Sequence, residues 1–469
     1  MPQPAHSRRP NIVLVFADQM RAQDCGFMGS GEVRTPHLDR MAQEGVTFTN
    51  AVSTCPVCTP YRASLLTGRF PLTLGVVQND VRLSTGEVSI AHVLRDEGYH
   101  TGYIGKWHLD GQYRGGFTPP GPRRQGFEHW RVANCNHRYL NGYYYADDPE
   151  PVSMEGYDAD WQTDQTIEYI TGHAHEPFCL LLSWGPPHNP CWLMPEEYKV
   201  YSPEDVTLRP NVPGELAEAS RQEIAGYWCH ITALDRNLGR IVSALDEAGA
   251  AGDTILVFTS DHGDMLGSQG HQRKQKPWEE SLMVPCVMRW PGHMPAGLRS
   301  ETLINATDVM PTLLGLVGAP IPDAVEGFDL SHAALGGPGF EPASAFIGNP
   351  CPFHGDAGGL PEWRGVRTRT HTYVRGLDGP MLLYDNIADP YQLSNLVDSP
   401  DAAETVAQLD DELDDWLAKL DDDFATKEEY IRRFGYEVDP RGIVPYVDQV
   451  GLSDLDGART DGTRRVPLR

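Results

Sequence analysis

Four short apolar runs limit what this 469-residue chain can fold into: residues 11–18 (NIVLVFAD), 101–105 (TGYIG), 178–184 (FCLLLSW) and 253–261 (DTILVFTSD). They lack the polar alternation of a strand with one wet face, so they predict strands buried on both sides, as in a parallel sheet. Helical spacing separates them. Residues 89–99 put Ile90, Val93 and Leu94 on one face and stop near Gly98. Residues 220–249 align Ile224, Trp228, Ile231, Leu234, Leu238, Ile241 and Leu245, and also end at glycine. Strands alternating with helices predict an α/β fold: a large, mostly parallel sheet flanked by helices.

The texture changes after about residue 335. Gly/Pro-rich segments (336–346 and 349–363) precede strand-like stretches at 363–376 and 380–385, then an acidic amphipathic helix over 402–420. This predicts a catalytic α/β domain over 1–340 and a smaller α+β domain with an antiparallel sheet over 341–469. Residues 421–469 carry little pattern and are expected to run as an extended surface tail.

The formal net charge of −27 argues against nucleic acid or an anionic membrane as partner. An anionic substrate must then be drawn by a local cationic site. The first ten residues are polar, no apolar targeting segment follows, and no run is long enough to span a membrane, so a cytoplasmic location is the default expectation. Nine cysteines, scattered except for Cys55 and Cys58, do not read as a disulfide framework. Oligomeric state is not readable.

Ligands of a parallel sheet bind beyond the carboxyl ends of its strands. The four runs are followed by Asp18-Gln19, by Lys106-Trp107-His108, by Pro186-Pro187-His188 and by Asp261-His262, with Lys274 thirteen residues past Asp261. Singly, an aspartate there is commonly a helix cap and a loop lysine is solvated. Together they suit a hard divalent cation beside a tetrahedral anion. Asp18, Gln19 and Asp261 offer oxygen, which fits calcium, magnesium or manganese; the nitrogen of His262 tilts slightly toward manganese. Lys106, His108, His188 and Lys274 can surround the anion's other oxygens. Residues 59–68 (TPYRASLLTG) predict a helix with Thr59 near the N-cap, Pro60 at its first position and Gly68 at its stop. A helix start is an anion site, and Cys58 stands there, where a nucleophile is wanted.

These residues resemble those of the type I sulfatases of the alkaline phosphatase-like superfamily. The signature Cys-x-Pro-x-Arg followed by x-x-x-x-Thr-Gly is present as Cys58-Thr59-Pro60-Tyr61-Arg62, then 63–68 (ASLLTG). Cys55 precedes a proline directly, has no arginine four residues on and reads as a small buried residue. Blocks such as GYIGKWHL, WGPPHNP, TSDHGDMLG and LYDNIADPYQLSNLVDSP follow in family order. The resemblance implies that Cys58 is oxidised to formylglycine by a formylglycine-generating enzyme and that the aldehyde hydrates to a geminal diol. One hydroxyl attacks sulfur; the second is deprotonated and expels sulfate. It also implies that Asp18, Gln19, Asp261 and His262 hold one divalent cation, calcium first, with Cys58 facing it. Arg62 holds the formylglycine, Lys106 and His108 lie near it with His108 the base, and His188 and Lys274 bind sulfate and protonate the leaving oxygen. Lys276 fits the lysine position less well than Lys274, counted from Trp278-Glu279.

Many family members carry Asp-Asp and Asp-Asn where this chain has Asp18-Gln19 and Asp261-His262. The Gln/His version also occurs in phosphonate monoester and phosphodiester hydrolases of the superfamily. A sulfuric ester hydrolase is the first expectation, a phosphonate monoester or phosphodiester hydrolase the second. A non-catalytic binding protein would require a missing catalytic residue, and none is missing. Aromatic-rich residues 129–148 are expected as a substrate-facing loop, with His137 and Tyr143 reaching the alcohol, aryl or carbohydrate; the alternative is plain packing.

Overall fold

The computed structural model describes residues 9–353 and 359–447. Its strands are β1 (Asn11–Asp18), β2 (Val46–Val52), β3 (His100–Lys106), β4 (His129–Ala133), β5 (Tyr143–Tyr144), β6 (Val152–Ser153), β7 (Phe178–Pro187), β8 (Thr254–Ser260), β9 (Val287–Arg289), β10 (Leu298–Asn305), β11 (Ala345–Asn349), β12 (Trp363–Arg367), β13 (His371–Gly376) and β14 (Gly379–Asp385). Eight form one sheet in the order β10-β2-β9-β8-β1-β7-β3-β4. Only β9 runs antiparallel to its neighbours. The four apolar runs are thus four adjacent strands, β8-β1-β7-β3, and their carboxyl ends form one rim.

Strand β1 shows why the runs are continuous. Ile12, Leu14 and Phe16 enter one apolar layer, under helices Cys58–Thr67, Ile90–Asp96 and Ala306–Val317. Val13, Val15 and Ala17 enter the other, under helices Pro36–Glu44, Asp158–Gly172 and Ala217–Glu247. Both faces are dry, so both parities must be apolar. Burying each such Val, Leu, Ile or Phe contributes roughly 1.5–3 kcal/mol. Among the described residues no helix is long and apolar enough to cross a membrane.

The second sheet, β11-β12-β13-β14, is antiparallel throughout. Helix Ala403–Lys419 covers one face with Leu413, Trp416 and Leu417. Trp363 and Val374 pack with Trp278 and Leu282, just past the loop that bears Lys274.

Two expectations need correction. Residues 129–133 are not loop but edge strand β4: Trp130 and Val132 alternate inward while their neighbours are only half-buried. The tail is not simply extended, since Lys427–Phe434 is helical, with Thr426 accepting from the Glu429 amide as its cap. Eight residues give too little periodicity to be seen in sequence. Beyond it, the Val447 amide donates to Gln112 O (2.9 Å), so the chain returns to the catalytic rim. Residues 448–469 of that tail lie outside the described residues.

Candidate active site

The helix bearing the signature starts two residues earlier than its sequence suggests. It runs Cys58–Thr67 with Val57 at the N-cap, so Cys58 holds the first helical position and Pro60 the third. Thr59 does not cap. Its hydroxyl donates to His108 O (2.8 Å), while its amide donates to Asn79 Oδ1 (3.0 Å). Asn79, from a distant loop, replaces the local cap. Pro60 is tolerated because amides of the first turn have no intrahelical partner to lose.

Around Cys58 lies a wholly buried cluster. One donor atom each from Asp18, Cys58, Asp261 and His262 lies within 4.8 Å of the others. The thiol sulfur is 3.4 Å from His262 Nε2 and 3.7 Å from Asp18 Oδ1. Asp261 Oδ1 accepts from the amides of Gln19 and His262, both at 2.9 Å, which fixes the two strand ends to each other. Gln19 takes a left-handed turn (φ 68°), and its carbonyl accepts from the Tyr227 hydroxyl (2.6 Å) on the long helix. Gly105 permits the neighbouring rim: with φ 101°, a Cβ there would lie 2.0 Å from Ser183 O.

Arg62 spans both carboxylates, donating from Nη2 to Asp18 Oδ2 (3.3 Å) and Asp261 Oδ2 (3.1 Å). Its Nη1 donates to Lys106 O and Ser183 Oγ. Lys106 Nζ donates to Asp18 Oδ2 and lies 3.9 Å from the sulfur. Burial opposes ionisation of Asp18, yet Lys106 and Arg62 hold it well below the usual carboxylate range. Asp261 moves the other way, raised by burial and by the neighbouring Asp18. Two adjacent buried carboxylates, one of them still short of positive charge, are what a divalent cation satisfies, and the oxygen-rich donor set fits one.

Lys274 closes the opposite side. Its ammonium lies 3.2 Å from the sulfur and donates to Gln19 Oε1 (2.8 Å). It also lies 2.9 Å from His188 Nε2, while His188 Nδ1 lies 2.8 Å from Asn189 O. Burial, with Lys274 and His137 nearby, holds His188 well below its ordinary range. His188 is therefore neutral, donating from Nδ1 and accepting from Lys274. Burial also opposes ionisation of the Cys58 thiol, but Lys106, Lys274 and His262 overcome it and lower the thiol well below its usual range. The sulfur stands where the diol oxygens of a converted Cys58 would sit. Cys55 is buried in an apolar cluster with Val57 and Phe353, and burial raises its thiol.

Several partners escape sequence reading. His108 Nε2 faces Asp80 Oδ1 (3.2 Å), and Asp80 accepts two bonds from Arg114 (2.8 and 2.7 Å). Burial opposes the charge on His108, but Cys135 and Asp80 raise it to about 10. At that value His108 carries its proton at neutral pH, and it acts as a base only in the fraction that has lost it. Asp264 is a second missed anchor: it accepts from Gln19 Nε2 (2.7 Å) and from the Arg273 amide (2.8 Å). Asp80→Asn is expected to lower kcat about 10- to 100-fold. Without the carboxylate the proton affinity of His108 falls, so the limb of the pH–rate profile it governs should move to lower pH. A profile unmoved by the substitution would separate Asp80 from His108.

Of the two aromatic-segment residues, His137 reaches this site and Tyr143 does not share its cavity. His137 stacks on His188 (centroids 4.2 Å, planes 6° apart), with Nε2 3.5 Å from Lys106 Nζ. Tyr143 pairs with Ser153 and lines a separate cleft behind Lys106, with Arg131 and Asp158. The cavity over Cys58 is walled by Lys106, His108, His137, His188, Lys274 and Phe353, among others. Of the Gly/Pro-rich segment 349–363, residues 354–358 lie outside the described residues.

Such a rim has one chemical use: seating a tetrahedral anionic ester between cations while a helix-borne nucleophile attacks it. That defines a hydrolase of sulfuric or phosphoric-type esters. Comparison with known proteins narrows the class. The Sulfatase family model matches residues 10–319, and the model described as N-sulphoglucosamine sulphohydrolase, C-terminal, matches residues 267–419. The Ulvan-active sulfatase of Formosa agariphila is 40% identical, over 91% of this chain and 85% of that one. The crystal structure of the yidJ protein of Bacteroides fragilis superposes with a TM-score of 0.82 at 31% identity, covering 92% of this chain and 99% of that one. A Bacteroides thetaiotaomicron structure described with the metabolism of multiple glycosaminoglycans gives 0.80 at 28% identity, over 94% of this chain and all of that one. The chain belongs to the sulfatase family and is a sulfuric ester hydrolase. Membership implies a divalent metal and a formylglycine.

Proposed function

We propose that this enzyme hydrolyses sulfate monoesters of carbohydrates, with Cys58, matured by a formylglycine-generating enzyme, as nucleophile. The observation that carries this reading is the position of the Cys58 sulfur, between the carboxylate–histidine cluster on one side and Lys274 with His188 on the other. Relatives named for sulfated sugars support the carbohydrate class.

Asp18, Gln19, Asp261 and His262 hold the cation, for which calcium is the proposed identity, given three oxygen donors. The cation supplies Lewis-acid polarisation of oxygen. Arg62 keeps both carboxylates in place from below. Lys106 and Lys274 neutralise sulfate oxygens as charge builds in the transition state. Lys274, oriented by His188, gives its proton to the leaving oxygen. His108 takes the proton of the second hydroxyl, and Asp80, itself held by Arg114, stabilises it once charged. His137 walls the sulfate end beside His188.

The test is a panel of glycoside sulfates, 4-nitrophenyl sulfate, a phosphodiester and a phenylphosphonate monoester, assayed on matured enzyme. kcat/KM is expected to be highest for a sulfated sugar and lowest for the two phosphorus esters. The Gln19/His262 pair is what keeps phosphorus esters in the panel; a preference for them would replace the sulfate reading.

A further inference from the structure

Five ammonium or guanidinium side chains of described residues line the cavity over Cys58: Lys106, Arg114, Arg273, Lys274 and Lys276. Four have partners. Lys106 pairs with Asp18, Arg114 with Asp80, Arg273 with Glu223, and Lys274 with Gln19 and His188. Lys276 is 6% exposed. Among the described residues no carboxylate forms an ion pair with its ammonium and no side chain accepts a hydrogen bond from it; only its backbone amide bonds, to Ser281 Oγ (3.4 Å). His271 is a charged-group neighbour, and of like sign when protonated.

The backbone brings Lys276 there by an uncommon route. Arg273 (φ 65°) and Gln275 (φ 71°) both adopt the left-handed region, which non-glycine residues rarely occupy. Neither conformation is accidental, because each is held on several sides. The Arg273 amide donates to Asp264 (2.8 Å), the Gln275 amide to Pro56 O (3.1 Å), and Gln275 Oε1 accepts from the Phe353 amide (3.0 Å). The turns leave Lys274 and Lys276, two residues apart, lining one cavity. Strain held in place by surrounding structure at a cavity wall suggests use.

We propose that Lys276 is an anion subsite on the alcohol side of the cavity, which reads a second negative charge on the substrate, a carboxylate or a further sulfate. The inference rests on the sulfatase reading and extends it to the substrate's alcohol. The sulfate end is already filled by Lys106, Lys274 and His188, grouped about Cys58. A buried ammonium without a counter-charge is unfavourable, and burial alone lowers Lys276 to about 8. It still carries its proton at neutral pH, and an arriving anion supplies the counter-charge that no described carboxylate gives it. A substrate with one charge leaves that ammonium unpaired; one with two does not.

Unreactive sulfonates test this by binding alone. Benzenesulfonate, 3- and 4-sulfobenzoate, and benzene-1,3- and 1,4-disulfonate are titrated by calorimetry into matured, metal-loaded wild type, Lys276→Gln and Lys276→Arg. At least one dianion should bind wild type about 10- to 100-fold more tightly than benzenesulfonate. Lys276→Gln should lose that preference and Lys276→Arg keep it, and the sulfobenzoate and disulfonate arms tell carboxylate from sulfate. Equal affinities in wild type, a preference that survives Lys276→Gln, or a uniform loss across mono- and dianions would each overturn the proposal. Turnover of 4-nitrophenyl sulfate without any dianion preference defeats this subsite alone. No turnover of any sulfate ester defeats the sulfatase reading instead.

Discussion

Cys58→Ala is expected to lower kcat by at least about 10⁴-fold, the scale seen when an enzyme loses its nucleophile. The position explains the size. Cys58 is the first residue of its helix, with the sulfur 3.2 Å from the Lys274 ammonium and 3.4 Å from His262 Nε2. Alanine removes the atom and leaves every charge around it. Cys58→Ser asks more of the mechanism. Serine keeps one hydroxyl at the same place, so attack on sulfur survives in part. A sulfated serine has no second hydroxyl whose deprotonation could expel sulfate, so release must wait for water. The expected result is about one equivalent of alcohol per enzyme, then arrest, with the sulfate found on residue 58 by peptide mass spectrometry. In matured wild type the same peptide should carry an aldehyde. Steady turnover by the alanine variant would end the assignment of Cys58, and an unmodified thiol in fully active enzyme would end the formylglycine step.

What could be read from sequence, and what could not, follows from the range of the forces involved. The ends of β1, β3, β7 and β8 were legible because a strand's burial is written in its own residues. Parallel neighbours then bring their carboxyl ends together, which placed Asp18, Lys106, His188 and Asp261 on one rim. Cys58 was legible through its spacing to Pro60 and Arg62. The partners that tune these groups were not. Asp80 sits in a loop without periodicity and meets His108 from 28 positions away in the chain. Asn79 moves the helix start by replacing a local cap, which no propensity for Thr59 could reveal. His137 and Tyr143 look alike in an aromatic stretch, but β4 and the short β5–β6 ladder turn them to different clefts. Lys276 fits the family lysine position poorly by its spacing. The left-handed turns at Arg273 and Gln275 bring it to the same cavity all the same.

Removing the divalent cation is expected to lower turnover at least about 10³-fold, reversibly, while the chain stays folded. Asp18 and Asp261 are both fully buried, and the Arg62 guanidinium donates to the two of them. Lys106 supplies a second positive charge by pairing with Asp18. Two cations against two carboxylates make the metal-free cluster tolerable, which is why unfolding should not follow chelation. The same pairing explains lost activity: a Lys106 tied to Asp18 is not available to a sulfate oxygen. With a cation held there, Asp18 would share its charge with it and the Lys106 ammonium would be left to a sulfate oxygen. At a hundred times its dissociation constant, the cation should also add about 2.7 kcal/mol of stability, seen as a higher melting temperature. Asp18→Asn and Asp261→Asn should bind metal poorly and recover little activity in excess calcium, and metal analysis of the wild type identifies the native ion. Activity that persists undiminished after prolonged chelation, with analysis showing no bound metal, would refute the role assigned to this cluster.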